Sequence, residues 1–196
     1  MEPIILASKS PRRQKILKKL NIPFMVVVPD FKEEKPENIR LEKAPEYFAA
    51  EKVKSVVNIL STNQDLGWVF SADTAIFLNN KLYGKPKNAD EARRFLNDFS
   101  GKTHKVLSGI ALYNGKNHYL ETKTVKSLVS FKALSTKEID WYIKTEEWHG
   151  AAGGYRVQGL AQCFIYKIEG SYSSIMGLPI SDFYDILTSQ GYAFID

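Results

Sequence analysis

An α/β architecture built on a strongly bent mixed sheet is the expectation for this 196-residue chain. Strand-like and helix-like segments follow one another in mixed order from end to end. The long alternating stretch HKVLSGIALYNGKNHYLETKTVKSLVSF, residues 104–131, suits extended paired strands, and helix starts are marked by Pro11 and by the pairs Asn88/Glu91 and Ser135/Glu138. With 44% hydrophobic and 25% charged residues the composition is that of a folded globular protein. The length suffices for one buried core, or for two small lobes sharing one, with room for a cleft.

The elements can be justified in order. PIILA at 3–7 suits a short buried strand, Ser8 to Ser10 a turn, and Ser10 a helix cap, with Pro11 at the first helical position, where its missing amide hydrogen costs nothing. Ile16, Leu17 and Leu20 give this helix an apolar side; FMVVV at 24–28 suits a second strand, and residues 31–43 an irregular link. After Pro45, Ala49, Val53, Val56 and Leu60 recur at helical spacing, with Lys52 at the edge of the row. STNQD is a turn before the strand WVFSADTAIFL, residues 68–78, and NNKLYGKPKN a hairpin excursion. ADEARRFLNDF forms a helix behind the Asn88/Glu91 capping box, Asn114-Gly115 marks a hairpin, and Ser135/Glu138 opens a helix to about Ile143. GAAGGYRVQG is turn-rich, CFIYKI returns to the sheet, SYSSIMGLP is another turn region, and a last helix runs from Ser181 to Ser189.

The 27 basic and 22 acidic residues give a net charge of +5, part of it concentrated in RRQKILKK at 12–19. Such an excess suits nucleic acid, an anionic membrane surface or a polyphosphate metabolite, and equally a merely soluble basic surface. Cys163 is the sole cysteine, which excludes an internal disulfide and a cysteine-rich metal site; within CFIYKI it reads as a core residue. His104, His118 and His149 are too scattered for a zinc pattern and read as structural. The first residues lack a signal-like apolar stretch and no run approaches transmembrane length, so the expected location is cytoplasmic.

The opening SKSPRRQKIL poses an electrostatic problem. A helix start presents positive potential, yet Arg12 and Arg13 stand in that turn. Phosphate oxygens gripped by backbone amides, by the hydroxyls of Ser8 and Ser10 and by the two guanidinium groups would resolve the conflict; a solvated basic helix is the plainer alternative. There is no Walker A glycine pattern. Asp73 interrupts an apolar strand, where an acid must pair, bind metal or lie at a strand end. Thr74 alternates away from it on a regular strand. Lys85, between Gly84 and Pro86, can present an ammonium group from a constrained turn, Glu33 and Glu34 form an acidic feature in the irregular link, and Lys52 can complete a positive wall or simply snorkel. In GAAGGYRVQG, Tyr155, Arg156 and Gln158 offer stacking, charge and amide hydrogen bonding to a base or phosphate; a structural glycine turn fits as well.

Taken together, LASKSPRRQKIL, SADTAIFLNNKLYGKP, FSGKTHKVLSGIALY, GGYRVQG and GSYSSIMGLP resemble the Maf family of nucleoside triphosphate pyrophosphatases over nearly the whole chain. The resemblance implies one Maf-like domain over residues 1–196, with an inosine triphosphate pyrophosphatase-like fold of two lobes around a cleft. It also implies cleavage of nucleoside triphosphates to monophosphate and pyrophosphate with Mg²⁺ or Mn²⁺, and a homodimer without a stable nucleic-acid or membrane partner. Residue by residue, Ser8, Ser10, Arg12 and Arg13 match the family's phosphate-binding opening, Asp73 its principal catalytic acid, Glu33 its acidic metal or water position, and Lys52 and Lys85 its active-site lysines. Asp73 and Glu33 are the expected metal ligands. SPRR, ADT and VQG are similar to the branch directed at dTTP and UTP, which makes Thr74 and Gln158 expected substrate contacts. The chain departs from the family at Ala151, often a lysine, and at Lys32, often an acid. Cleavage of the terminal phosphate and noncatalytic nucleotide or nucleic-acid binding are the competing functions.

Overall fold

The computed structural model describes residues 1–32, 34, 37, 39–60 and 66–194. In chain order these form β1 (Ile4–Leu6), α1 (Pro11–Lys19), β2 (Phe24–Val26), α2 (Ala44–Leu60), β3 (Trp68–Leu78), β4 (Lys81–Tyr83) and α3 (Ala89–Phe99). There follow β5 (Thr103–Asn114), β6 (Tyr119–Phe131), α4 (Thr136–Lys144), β7 (Ile165–Glu169), α5 (Tyr172–Met176) and α6 (Ile180–Ser189). Short 3₁₀ turns occupy Leu41–Lys43, Ala152–Gly154 and Leu160–Cys163. The turn expected at STNQD lies outside the described residues. SYSSIMGLP, expected as a turn, contains the one-turn helix α5.

The strands form one mixed sheet in the order β2-β1-β3-β5-β6-β7, with β4 beside β3. β1 runs parallel to both β2 and β3, while β4 and β7 pair antiparallel with β3 and β6. The expected strong bend is corrected here: the sheet is open, its described ladder ending at β2 on one side and β7 on the other. Alternation along a strand specifies which residues share a face, but closure depends on which end strands pair, and these two do not.

The chain divides into two compact units, Met1–Asp73 with Ser108–Val125 and Gly177–Asp196, and Thr74–Leu107 with Lys126–Met176. In the first, Ala49, Val53 and Val56 of α2 pack with Ala7, Val69 and Ala111. Gly109 lets α2 begin against β5, since a Cβ there would lie 2.2 Å from the Glu46 amide nitrogen. Glu46 then accepts hydrogen bonds from Thr122, at 2.9 Å, and from Thr124 on β6. Val53 and Val56 are wholly buried, each stabilising by about 1.5–3 kcal/mol, whereas a surface ion pair contributes about 1 kcal/mol or less. The apolar row, rather than any charge, therefore places α2.

The second unit has a core rich in aromatic residues, including Phe99, Phe131, Tyr142 and Phe164. His104 is buried within it, stacked on Phe99 at 4.3 Å and hydrogen-bonded through Nε2 to the Tyr155 hydroxyl at 2.8 Å, in agreement with its structural reading. Ser135 and Glu138 form a complete capping box at α4. At α3 the box is half made: Asn88 accepts from the Glu91 amide at 2.9 Å, but the Glu91 carboxylate takes the Lys87 amide instead. Cys163, expected in the core, is exposed, because the 3₁₀ turn before β7 directs Ala161 and Phe164 inward in its place. Among the described residues no helix is long and apolar enough to cross a membrane.

Candidate active site

The parallel register of β1 on β3 sets Leu6 opposite Phe70, and the Ala7 amide donates to the Phe70 carbonyl at 2.8 Å. Ser71 Oγ returns a hydrogen bond to the Ala7 carbonyl at 3.1 Å. The chain thus leaves β1 toward α1 while β3 runs on to Asp73. Crevices at the carboxyl ends of parallel strands are where open α/β sheets place ligands.

Pro11 opens α1 as expected, with Ser10 in the N-cap position, but Ser10 makes no side-chain cap hydrogen bond. Its amide instead donates to Ser8 Oγ at 3.3 Å. No acidic residue stands in the first turn. Arg12 is half-buried there, whereas Arg13 is buried and donates through Nη1 to Ser8 Oγ and through Nε to the Gly177 carbonyl, both at 2.9 Å. Part of the conflict at this helix start is therefore met inside the fold: a carbonyl and a hydroxyl receive the Arg13 charge. Nothing local in the sequence signals the Gly177 contact.

Lys52 follows Ala49 by three residues and precedes Val56 by four, so it shares the buried face of α2 rather than lying at its edge. Its Nζ reaches Asp73 Oδ1 at 2.7 Å, with side-chain exposures of 10% and 16%. An ammonium group and a carboxylate from elements 21 residues apart thus meet where water retains partial access. Such a pair orients the carboxylate, and removing one partner would leave the other charge poorly compensated.

Thr74, Lys85 and Gln158 belong to the second unit. Thr74 is half-buried on β3. Lys85 is exposed on the link from β4 to α3, and that link is tied to the glycine turn by the Gly153 amide, which donates to the Gly84 carbonyl at 2.9 Å. Gly153 has φ +67°, a backbone conformation that favours glycine, and a Cβ there would press on the Ile76 side chain at 2.7 Å. Gln158 is half-buried in the turn that follows. Two of its neighbours, Tyr155 and Arg156, fit either a ligand contact or a structural turn by sequence, and the packing decides for the turn. Tyr155 is buried against His104, and burial raises its hydroxyl pKa above the usual tyrosine value; Arg156 spends Nε on the Glu147 carbonyl and Nη2 on the His149 carbonyl, at 2.8 and 2.7 Å. Ala151 is buried as well. The packing of this unit consumes these side chains.

Glu33 lies outside the described residues. Among those described, no three His, Cys, Asp or Glu side chains gather as a metal cage. The donor chemistry nevertheless fits magnesium or manganese as partner of a bound phosphate chain. Such a hard cation is commonly held by one or two carboxylates together with substrate phosphates and water, and a carboxylate has lone-pair capacity beyond the bond Asp73 accepts from Lys52.

The architecture is an α/β fold built on one mixed sheet. It is similar to the structure of the Staphylococcus aureus Ham1 protein, with a TM-score of 0.51 at 15% identity over 96% of this chain and 100% of that one. The model of the Maf-like protein family matches residues 3–190, and the chain belongs to that family. It is 39% identical to the dTTP/UTP pyrophosphatase of Treponema denticola and 40% identical to that of Desulforamulus reducens, each over the whole of both chains. It is 38% identical to the dTTP/UTP pyrophosphatase of Pyrococcus furiosus, over 92% of this chain and 91% of the relative.

Proposed function

We propose that this protein hydrolyses nucleoside triphosphates between the α and β phosphorus atoms, with dTTP and UTP as its substrates, releasing a nucleoside monophosphate and pyrophosphate. The observation that carries this reading is the Lys52–Asp73 pair, 2.7 Å apart and partly accessible to water, midway along β3. Membership of the Maf-like family and full-length similarity to relatives named dTTP/UTP pyrophosphatases support the substrate class.

Asp73 orients a water molecule and accepts its proton as the water oxygen bonds to the α-phosphorus. The bond from that phosphorus to the α–β bridging oxygen breaks, and the electron pair leaves with pyrophosphate. Lys52 holds the Asp73 carboxylate in place. The amides at the start of α1, with Arg12, receive phosphate oxygens, while Arg13 braces the Ser8 loop from below. Lys85 and Gln158 are read as phosphate and base contacts on their match to the Maf family's motifs. A magnesium or manganese ion held by Asp73 and phosphate oxygens would supply neutralisation of the developing negative charge.

The test is product analysis across canonical nucleoside triphosphates with Mg²⁺ present. Monophosphate plus pyrophosphate, fastest from dTTP and UTP, is the expected result. Diphosphate plus orthophosphate would replace this reading with terminal phosphate removal, and binding without turnover would replace it with a nucleotide sensor.

A further inference from the structure

In the second unit, the turn that carries Gln158 is fastened on both sides to a single residue. Before it, Arg156 Nε donates to the Glu147 carbonyl at 2.8 Å, and the Arg156 amide donates to the Tyr142 hydroxyl at 3.3 Å. After it, the Leu160 amide donates to Glu147 Oε2 at 2.9 Å. Within the turn, the Gly159 amide donates to the Arg156 carbonyl at 3.0 Å. Gly159 sits against the same carboxylate, and a Cβ on it would lie 2.3 Å from Glu147 Oε2. Its backbone, at φ −114°, does not require glycine; a side chain there would instead displace the Glu147 carboxylate. The Glu147 amide in turn donates to Thr145 Oγ1 at 3.3 Å, so the clamp is continuous with the end of α4.

From this arrangement we infer that Glu147 is a positioning residue for base selection. Its carboxylate and carbonyl hold residues 156–160 in the conformation that presents Gln158, and the inference rests on the reading of Gln158 as a base contact. Glu147 touches no reacting atom. A carboxylate accepting a backbone amide makes a charge-assisted hydrogen bond, stronger than a neutral one, so the turn is stiffened where selectivity needs a fixed amide group. Discrimination between bases by a hydrogen-bonding side chain is lost when that side chain can swing away, even if the chemistry continues.

The experiment measures kcat/KM for dTTP and for CTP in the full-length protein carrying Glu147→Ala, Glu147→Gln, Gly159→Ala, Gln158→Ala, or Glu147→Ala with Gln158→Ala. Amide exchange at Leu160 is followed by NMR without nucleotide. The dTTP-to-CTP ratio is expected to fall about tenfold in Glu147→Ala, the equivalent of one oriented hydrogen bond, and to stay within about twofold of wild type in Glu147→Gln, whose amide oxygen can still accept from Leu160. Gly159→Ala, which displaces the same carboxylate, lowers the ratio too and serves if Glu147→Ala does not fold. Leu160 exchanges faster in Glu147→Ala and keeps its protection in Glu147→Gln. With Gln158 already replaced, Glu147→Ala changes the ratio no further. Equal losses on both nucleotides, unaltered exchange at Leu160, or an undiminished effect of Glu147→Ala in the Gln158→Ala background would overturn the inference. A wild-type ratio in Gln158→Ala alone would instead overturn the reading of Gln158, and the inference with it, while exchange at Leu160 would still report whether the clamp exists.

Discussion

The edge left where β1 ends beside the middle of β3, and the interior around His104, both hold polar side chains among apolar ones, and they use them in opposite ways. At the edge, Lys52 and Asp73 pair as charges, and the Asp73 side chain keeps 16% of its surface open. In the interior, His104 is 1% exposed and its Nδ1 finds no hydrogen-bond partner among the described residues. Burial lowers its pKa to about 3, so the ring is neutral where a free histidine would begin to charge. The first region retains charge, partner and access together, the conditions under which a carboxylate can handle a proton. The second has given up access and charge for packing. The strongly perturbed pKa of His104 therefore reflects packing, whereas the paired carboxylate is the group the proposed mechanism uses.

The largest effect that could break this contrast is expected from Asp73→Asn. Turnover of the preferred triphosphate should fall by about 10³-fold, in the range for loss of a general base, while nucleotide binding measured by calorimetry changes little. Near-normal turnover in a folded Asp73→Asn protein would remove Asp73 from the centre of the mechanism.

A smaller effect, on stability alone, is expected from acid. The folded-state pKa of His104 lies below the unfolded value near 6.5, so the unfolded chain takes up the proton first. The associated stability is present in full above pH 6.5 and is lost progressively as pH falls toward about 3. Between pH 7 and pH 5 the loss from this one group is about 2 kcal/mol. Urea unfolding at the two pH values should show it in the wild type, and His104→Phe should flatten that dependence. A His104→Phe protein with the same acid slope would show that other groups carry it.

The smallest effect sharpens the separation of the two regions. Ser135 closes a complete capping box on α4, and Ser135→Ala should cost about 1 kcal/mol of stability. Activity at a temperature well below unfolding should not change. A selective loss of turnover would mean that α4 reaches the chemistry in a way the contrast does not allow.

Several elements were legible because their signals are local. Pro11 marks the start of α1, β3 and α3 run over the residues that alternation and capping indicate, and Ser135/Glu138 forms the box its spacing promises. Asp73 and Lys52 could be singled out because an acid within an apolar strand and a lysine near an apolar helical row are conspicuous against their neighbours. Tyr155 and Arg156 left two readings open, since a glycine-rich turn bearing an aromatic ring and a guanidinium group suits a ligand cradle and a structural turn alike; His104 and the carbonyls of Glu147 and His149, which occupy those groups, decide for the turn. Glu147 had no signal of its own, since its role consists of hydrogen bonds to residues 9 and 13 positions away.

What the amino-acid order determined by itself was most of the helices and strands, α5 excepted, through periodicity, caps and prolines that act within a few residues of one another. The tertiary structure alone decided that the sheet stays open, that Lys52 meets Asp73, and that Arg13 turns to the carbonyl of Gly177, 164 residues away. The reason is physical. Helix and strand formation depends on neighbours along the chain, but the partner a polar side chain takes is chosen by whichever distant element the packing brings within about 3 Å.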